Sequence, residues 1–235
     1  ECVKAAVELL EKAGYREFDP KASYKAGDKV YWNNRKKALA AATFGTLGME
    51  EGLRMNGAHI DSPRLDLKPN PLFEQADIAY LKPHYYGGIR KYQWGATPLA
   101  MHGVVGKKNG EMVEISIGEK EGEPQFCITD LLPHLASEQK GEELNIIVGS
   151  IPFMGEDDEK IKTPVKLMAM KLLNEMYGIT EKDFTRAEIE MVPAYKAVDV
   201  GLDRSLVGAY GQDDRVCAYT ALMAETETKA PAHTT

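Results

Sequence analysis

The chain has 235 residues, which is enough for one or two domains with a buried core. Its 29 basic and 36 acidic residues give a formal net charge of −7, which disfavours a nucleic-acid-binding protein because such proteins carry a basic face. Hydrophobic residues make up 43% and charged residues 28% of the chain, so intrinsic disorder of the whole is excluded.

Targeting signals and cysteine usage narrow the class further. No apolar run approaches the roughly 18 residues that a transmembrane helix needs, and the first residues do not form a signal peptide. Cys2, Cys127 and Cys217 lie far apart with no CxxC pair, which disfavours a thiolate zinc site and fits a reducing compartment. We therefore expect a cytoplasmic protein with no membrane or nucleic-acid partner.

The first half of the chain predicts one helix followed mainly by strands. Apolar residues at helical spacing precede Gly14, a typical C-cap, and these residues are Val3, Ala6, Val7 and Leu10. Apolar runs predict strands over residues 39–44 and 55–60. The dipeptide Asn109-Gly110 predicts a hairpin between strands at 101–105 and 112–117.

The second half combines strands and helices. Residues 146–151 and the alternating pattern around Ile189 predict two further strands. A helix is predicted between Pro164 and Gly178, and a second over residues 216–224. One face of the first of these carries Val165, Met168, Ala169, Leu172, Leu173 and Met176.

These elements indicate an α/β fold with a mixed insertion in the middle. The predicted parts are residues 1–95, an insertion over 96–192, and a continuation of the first part over 193–235. The acidic run at 156–159 lacks the spacing and the glycine of a calcium loop, and it predicts a solvated loop.

Two polar clusters are candidates for chemistry. His59 and Asp61 follow the predicted strand 55–60, where they suit either a metal-ligating imidazole with an orienting carboxylate or a hydrogen-bonded structural histidine. Asp213 and Asp214 precede a predicted helix. They suit either a metal held by Asp213, with Arg215 pairing Asp214, or an acidic helix start.

Taken together, the clusters resemble the aspartyl aminopeptidase family (metallopeptidase family eighteen), in its bacterial branch. The resemblance rests on GAHIDSPRL at 57–65, YGG at 86–88, LPHL at 132–135, VGLDRSLVGAY at 200–210 and GQDDR at 211–215. It runs in order over nearly the whole chain, and it is the combination of motifs that is specific.

The resemblance implies a dinuclear zinc exopeptidase that removes the N-terminal residue of peptides. Its α/β catalytic domain would comprise 1–95 and 193–235, and 96–192 would be an inserted dimerisation domain. His59 would be a zinc ligand, Asp213 the carboxylate bridging two zinc ions across a cis Asp213-Asp214 bond, and Asp61 the partner that orients His59. Cobalt or manganese also suits such ligands. His134 would reach a neighbouring subunit's active site within dimers that build a shell, usually of twelve subunits.

This sequence also departs from the family pattern. The family's Glu-Glu pair, a further carboxylate ligand and a distal histidine ligand are not found, and His233 does not match the last of these. Because each zinc ion normally takes four ligands, His59 and Asp213 cannot hold two ions by themselves. The chain also starts without a methionine. We therefore expect an N-terminal part of such an enzyme that lacks its own beginning and is inactive alone.

Two other hypotheses remain open. In one, the chain is a non-catalytic assembly module that keeps the dimerisation role of the insertion. In the other, it is a different metal hydrolase that uses Asp213, Asp214 and the loop containing Asp157 and Asp158.

Overall fold

The computed structural model describes residues 1–132, 134–135, 139–155 and 161–235. The acidic run at 156–159, with Asp157 and Asp158, lies outside the described residues. In chain order the helices and strands are α1 (Cys2–Lys12), β1 (Arg16–Glu17), β2 (Lys29–Asn34), β3 (Ala38–Thr43), β4 (Arg64–Gln75), β5 (Ile78–Tyr86), β6 (Leu99–Gly106), β7 (Met112–Ile117), β8 (Cys127–Ile128), β9 (Ile146–Gly149), α2 (Pro164–Tyr177), β10 (Ala187–Pro193), β11 (Val198–Val200), β12 (Leu206–Gly208) and α3 (Gln212–Glu227).

The described chain divides into two compact units. Unit 1 comprises Glu1–Ser62 and Gly211–Thr235, and unit 2 comprises Pro63–Tyr210. These limits differ from the domain boundaries predicted after residues 95 and 192, because β4 and β5 pair within the same sheet as β6 and β10. The assignment of 96–192 as an inserted domain stays a prediction.

Both predicted amphipathic helices are confirmed. Helix α1 buries Leu10 completely, and Gly14 follows it with φ of +88°. Helix α2 ends at Gly178, whose left-handed φ of +64° lets its N–H donate to the Asn174 carbonyl.

The buried face of α2 differs in part from the predicted one. Val165 and Ala169 are buried as expected, but Leu172 and Met176 are exposed. The packed face continues through Leu173 and Tyr177, four residues apart. The reason is that the apolar positions of this helix cover more than one face, so helical spacing alone does not select the side that meets the sheet.

Most predicted strands are present. Strands β6 and β7 form the hairpin predicted around Asn109-Gly110, and β3 and β10 match their predicted segments. Strand β9 is shorter than predicted, since it ends at Gly149 and Ile151 is exposed. The strand predicted over 55–60 is wrong, because a strand needs a pairing partner and residues 55–60 have no strand pairing in the described structure. The isolated bridge between Leu53 and Thr234 lies just before this segment.

Unit 1 has a three-stranded sheet in the order β1-β2-β3 and a small core around Leu10, Tyr15 and Tyr31. A polar triad joins this core. The Tyr15 hydroxyl lies 2.8 Å from both Thr43 Oγ1 and Glu225 Oε1, and the Thr43 hydroxyl donates to the same Glu225 oxygen at 2.7 Å. Burial, together with Glu225, raises the pKa of Tyr15 despite the opposing hydrogen bond with Thr43. The triad therefore links α3 to β3 and to the residue that precedes β1.

Unit 2 is built on a seven-stranded sheet in the order β7-β6-β10-β4-β5-β9-β8. The sheet is curled, because single bridges join Leu99 to Phe126 and Gly95 to Ile128, returning the β8 edge toward β6. Helix α2 packs on the core of this sheet through Val165 and Ala169. Strands β11 and β12 form a separate two-stranded ribbon. Among the described residues, no helix has both the length and the apolar character needed to span a bilayer.

A capping box fixes the 3₁₀ helix Glu181–Arg186 of unit 2. Asp183 Oδ2 accepts hydrogen bonds from the Thr180 backbone N–H at 2.9 Å and from the Thr180 hydroxyl at 2.7 Å, and Arg186 donates to Oδ1 at 2.5 Å. The bonds from Thr180 first, and then Arg186, lower the pKa of Asp183 against the opposing effect of burial.

We expect Tyr15→Phe to lower the free energy of unfolding of unit 1 by about 1–2 kcal/mol, because Thr43 is wholly buried and Glu225 loses a donor. Urea unfolding measures the change. Tyr24→Phe is the control, since the exposed Tyr24 hydroxyl contacts only the Asp19 backbone and water replaces it there. Equal losses in the two variants would contradict the role of the triad.

We expect Asp183→Asn to destabilise unit 2 by about 1 kcal/mol at neutral pH. The pKa of Asp183 is lowered in the folded state, so its contribution is present above the unfolded pKa of about 3.9 and is lost as pH falls through the folded value. The difference in unfolding free energy between variant and wild type should therefore shrink below about pH 4. Glu175→Gln, which removes a surface ion pair with Lys171, should show little effect. A pH-independent difference at Asp183 would contradict this assignment.

Candidate metal centre

The segment that carries His59 is irregular and mostly exposed. It follows the Leu53–Thr234 bridge, and Met55 within it is 84% exposed. Ser62 is the first buried residue that the segment reaches, immediately before β4 begins. His59 and Asp61 are thus held by their contacts with other polar groups and not by a strand ladder.

The second cluster lies where α3 begins. Gly211 adopts φ of +81°, and the Asp213-Asp214 peptide bond is cis, as the resemblance implies. Asp213 and Asp214 both have non-helical backbone angles, so regular helical geometry starts after them. The two carboxylates therefore lie at an interruption of the helical geometry. In a simple acidic helix start they would lie in the first regular turn.

His59 brings the two clusters together within unit 1. Its Nε2 atom lies 3.6 Å from Asp213 Oδ1 and 4.0 Å from Asp214 Oδ2. The His59 side chain is 55% exposed and that of Asp213 is 95% exposed. An imidazole nitrogen and a carboxylate oxygen therefore face each other across a gap that is open to solvent.

Asp61 occupies the other side of the imidazole. The Nδ1 atom of His59 lies 3.1 Å from the Asp61 carbonyl and 3.3 Å from Asp61 Oδ1. Both of these oxygens are acceptors, so they favour the tautomer that carries its proton on Nδ1. That tautomer leaves the lone pair of Nε2 directed toward the aspartates.

The charges around His59 favour a cation at this point. Partial burial lowers the pKa of His59, but the Asp61 carbonyl and the carboxylates of Asp61, Asp214 and Asp213 raise it, and the net pKa lies above its ordinary value. The three carboxylates that favour a proton on the ring also favour a metal ion beside it.

Asp214 has a further partner that the sequence analysis did not assign. The Cys217 thiol hydrogen-bonds to Asp214, and this bond is the main cause of the raised pKa of Cys217. Cys217 entered the sequence analysis only as one of three widely separated cysteines. The available signal was its position three residues after Asp214, close to the start of the helix that the sequence predicts from residue 216.

The donor set fits part of a zinc site. Neutral imidazole and carboxylate are donors that zinc accepts, and His59 Nε2 and Asp213 Oδ1 offer one of each. In the part of the chain that the structure describes, however, no group of three or more His, Cys, Asp or Glu side chains is placed to hold a metal ion. Because a zinc ion normally takes four ligands, His59 and Asp213 would make up only part of a ligand set.

A large cleft of about 850 Å³ opens within unit 1 beside these residues. Its lining is mainly apolar and includes side chains of α1, β3 and α3, together with His59 and Asp61. Polar groups at the wall of an apolar cleft are typical of binding and catalytic sites.

His134, the remaining candidate, lies in unit 2. It sits in an exposed turn, and the neighbouring Leu132 and Leu135 are also exposed. The predicted contribution of His134 to the active site of a neighbouring subunit stays a prediction.

Comparison with known proteins gives a consistent result. A family model described as aminopeptidase I zinc metalloprotease (M18) matches residues 1–234. A probable M18 family aminopeptidase 1 of Clostridium acetobutylicum is 50% identical over 243 aligned residues, covering 97% of this chain and 51% of the relative. The crystal structure of an M18 family aminopeptidase from Thermotoga maritima superposes with a TM-score of 0.90 at 49% identity, covering 99% of this chain and 52% of that one.

A more distant structure shares the fold alone. The yeast mApe1 dodecamer superposes with a TM-score of 0.69 at 19% identity, covering 99% of this chain and 55% of that one. The chain thus spans about half the length of the relatives that it matches.

We expect Gly211→Ala to destabilise unit 1 by about 1–2 kcal/mol, because a side chain is unfavourable at a φ of +81°. The added Cβ would also lie 2.6 Å from Cζ of Arg215. Gly57→Ala is the matched control, since a Cβ at Gly57 meets no atom within 4 Å and its φ is not positive. Urea unfolding of both variants checks this expectation, which fails if the two losses are equal.

Proposed function

The chain belongs to the aminopeptidase I zinc metalloprotease family (M18), and on that premise we propose that it is part of a zinc-dependent aminopeptidase. Its substrates would be peptides, and its reaction would be hydrolysis of their N-terminal peptide bond. The observation that carries the proposal is the 3.6 Å approach of His59 Nε2 to Asp213 Oδ1, because it joins two motifs that the resemblance assigns to one metal centre.

His59 and Asp213 would be protein ligands of a site with two zinc ions, and Asp213 would bridge them. Zinc, when bound, polarises a scissile carbonyl and lowers the pKa of a coordinated water. Asp61 would keep the proton of His59 on Nδ1 and so reserve Nε2 for the metal. Cobalt or manganese would suit the same donors.

The other ligands and the general base would come from polypeptide outside this chain. Two findings support this division: the described residues contain no group of three metal-binding side chains, and the chain spans about half of its relatives. The chain would then be an N-terminal part of the enzyme and would have little activity alone.

Residues 96–192 would form an inserted dimerisation domain, and His134 would contribute to the site of a neighbouring subunit. The exposed turn that contains His134 supports this role, because an accessible side chain is needed for such a contact. Self-association would produce dimers and a shell of twelve subunits, and the yeast mApe1 structure is itself a dodecamer.

The lack of a group of three metal-binding side chains among the described residues favours a second candidate, a non-catalytic module that assembles but does not hydrolyse peptides. The two candidates differ in whether zinc is held through His59. Zinc binding that depends on His59 supports the aminopeptidase, and self-association without zinc binding supports the module.

The test measures zinc per chain by elemental analysis, and the release of N-terminal residues, in the gene product that contains this chain. We expect zinc-dependent release that a chelator abolishes. His59→Ala and Asp213→Asn should each remove zinc and activity, because each removes a ligand. Asp61→Asn should weaken zinc binding by about 10–100-fold and keep residual activity.

His84→Ala is the control, since the exposed His84 contacts Glu142 in unit 2. It should leave the zinc content unchanged. The proposal fails if His59→Ala retains zinc at the wild-type level, or if no peptide loses its N-terminal residue in a zinc-dependent manner.

A further inference from the structure

Ser62 differs from the exposed segment that precedes it. It is only 5% exposed, and its hydroxyl donates a hydrogen bond of 3.4 Å to the backbone carbonyl of Asp213. The side chain therefore connects the segment that carries His59 to the residue whose carboxylate faces the imidazole. Both partners lie in unit 1.

The next residue makes a second connection between the same two stretches of chain. The carbonyl of Pro63 accepts a 2.7 Å hydrogen bond from the hydroxyl of Tyr210. Two adjacent residues, Ser62 and Pro63, thus bind two residues that are three apart, Asp213 and Tyr210. The left-handed Gly211 lies between these two and turns the chain.

The Pro63 carbonyl is well anchored within unit 2. Pro63 immediately precedes β4, where Arg64 pairs with Tyr86 and Leu65 is wholly buried. A Cβ on Gly87 would lie at an ordinary contact distance of 3.4 Å from Pro63, so Gly87 is near this residue. The acceptor of the Tyr210 hydroxyl is therefore held by the central sheet of its unit.

We propose that Ser62 and Tyr210 are positioning residues for the His59–Asp213 pair, an inference that rests on the proposed function of that pair. The segments that carry His59 and Asp213 are far apart in sequence, and neither segment is paired in a strand at these residues. Loss of either hydroxyl would let the segments separate and would lengthen the average distance from His59 Nε2 to Asp213 Oδ1. Neither hydroxyl contacts the reacting atoms in this scheme.

The experiment compares Tyr210→Phe and Ser62→Ala with wild type by hydrogen exchange and zinc affinity. In metal-free protein, backbone amides of residues 59–62 and 211–215 should exchange about fivefold faster in each variant, because one hydrogen bond that restrains opening is lost. Zinc affinity, from competition with a chromophoric chelator, should fall by about 10–100-fold.

Tyr195→Phe is the matched control, since the Tyr195 hydroxyl lies in the same unit but contacts Thr97. It should change neither quantity. Circular dichroism confirms that each variant is folded, and if Tyr210→Phe does not fold, Ser62→Ala decides. Unchanged exchange in both segments of the folded variants would overturn the proposal. Because exchange is measured without metal, it decides even if the wild type binds no zinc and the proposed function itself fails.

Discussion

Three carboxylates placed around one imidazole constrain the whole candidate site. Asp61 lies on the Nδ1 side of His59, and Asp213 and Asp214 lie on the Nε2 side. Carboxylates gathered at such distances repel one another unless a cation lies among them. A protonated histidine supplies one positive charge to these carboxylates, whereas a divalent metal ion beside the ring supplies two. This electrostatic requirement is why the site is interpreted as part of a metal centre.

The backbone meets this requirement with irregular structure. His59 lies in a segment without strand pairing, and the aspartates lie at a break before the regular part of α3. Segments of this kind have few hydrogen bonds of their own, so their positions depend on a small number of side chains. Ser62 and Tyr210 supply two such contacts, each to a backbone carbonyl. Pro63 immediately precedes β4 and Asp213 lies just before the regular part of α3, so each acceptor is close in sequence to a regular element.

Unit 1 has an exposed apolar cleft and, among the described residues, no group of three metal-binding side chains. The cleft has a volume of about 850 Å³ and a largely apolar lining, and the described chain offers two facing ligands where a zinc pair needs more. The chain spans about half the length of its relatives. Under the proposed function, the remaining zinc donors would come from other polypeptide.

The sequence alone predicted the parts of the fold that local patterns specify. The spacing of apolar residues identified α1 and α2, and Asn109-Gly110 identified the β6–β7 hairpin, because helices and tight turns depend on nearby residues. The motifs at 57–65 and 211–215 also identified the family. The tertiary structure decided which face of α2 is buried, that residues 55–60 form no strand, and that Cys217 forms a hydrogen bond with Asp214. It also decided the approach of His59 to Asp213, since pairing and packing between distant segments are set by the folded chain and leave no local pattern in the sequence.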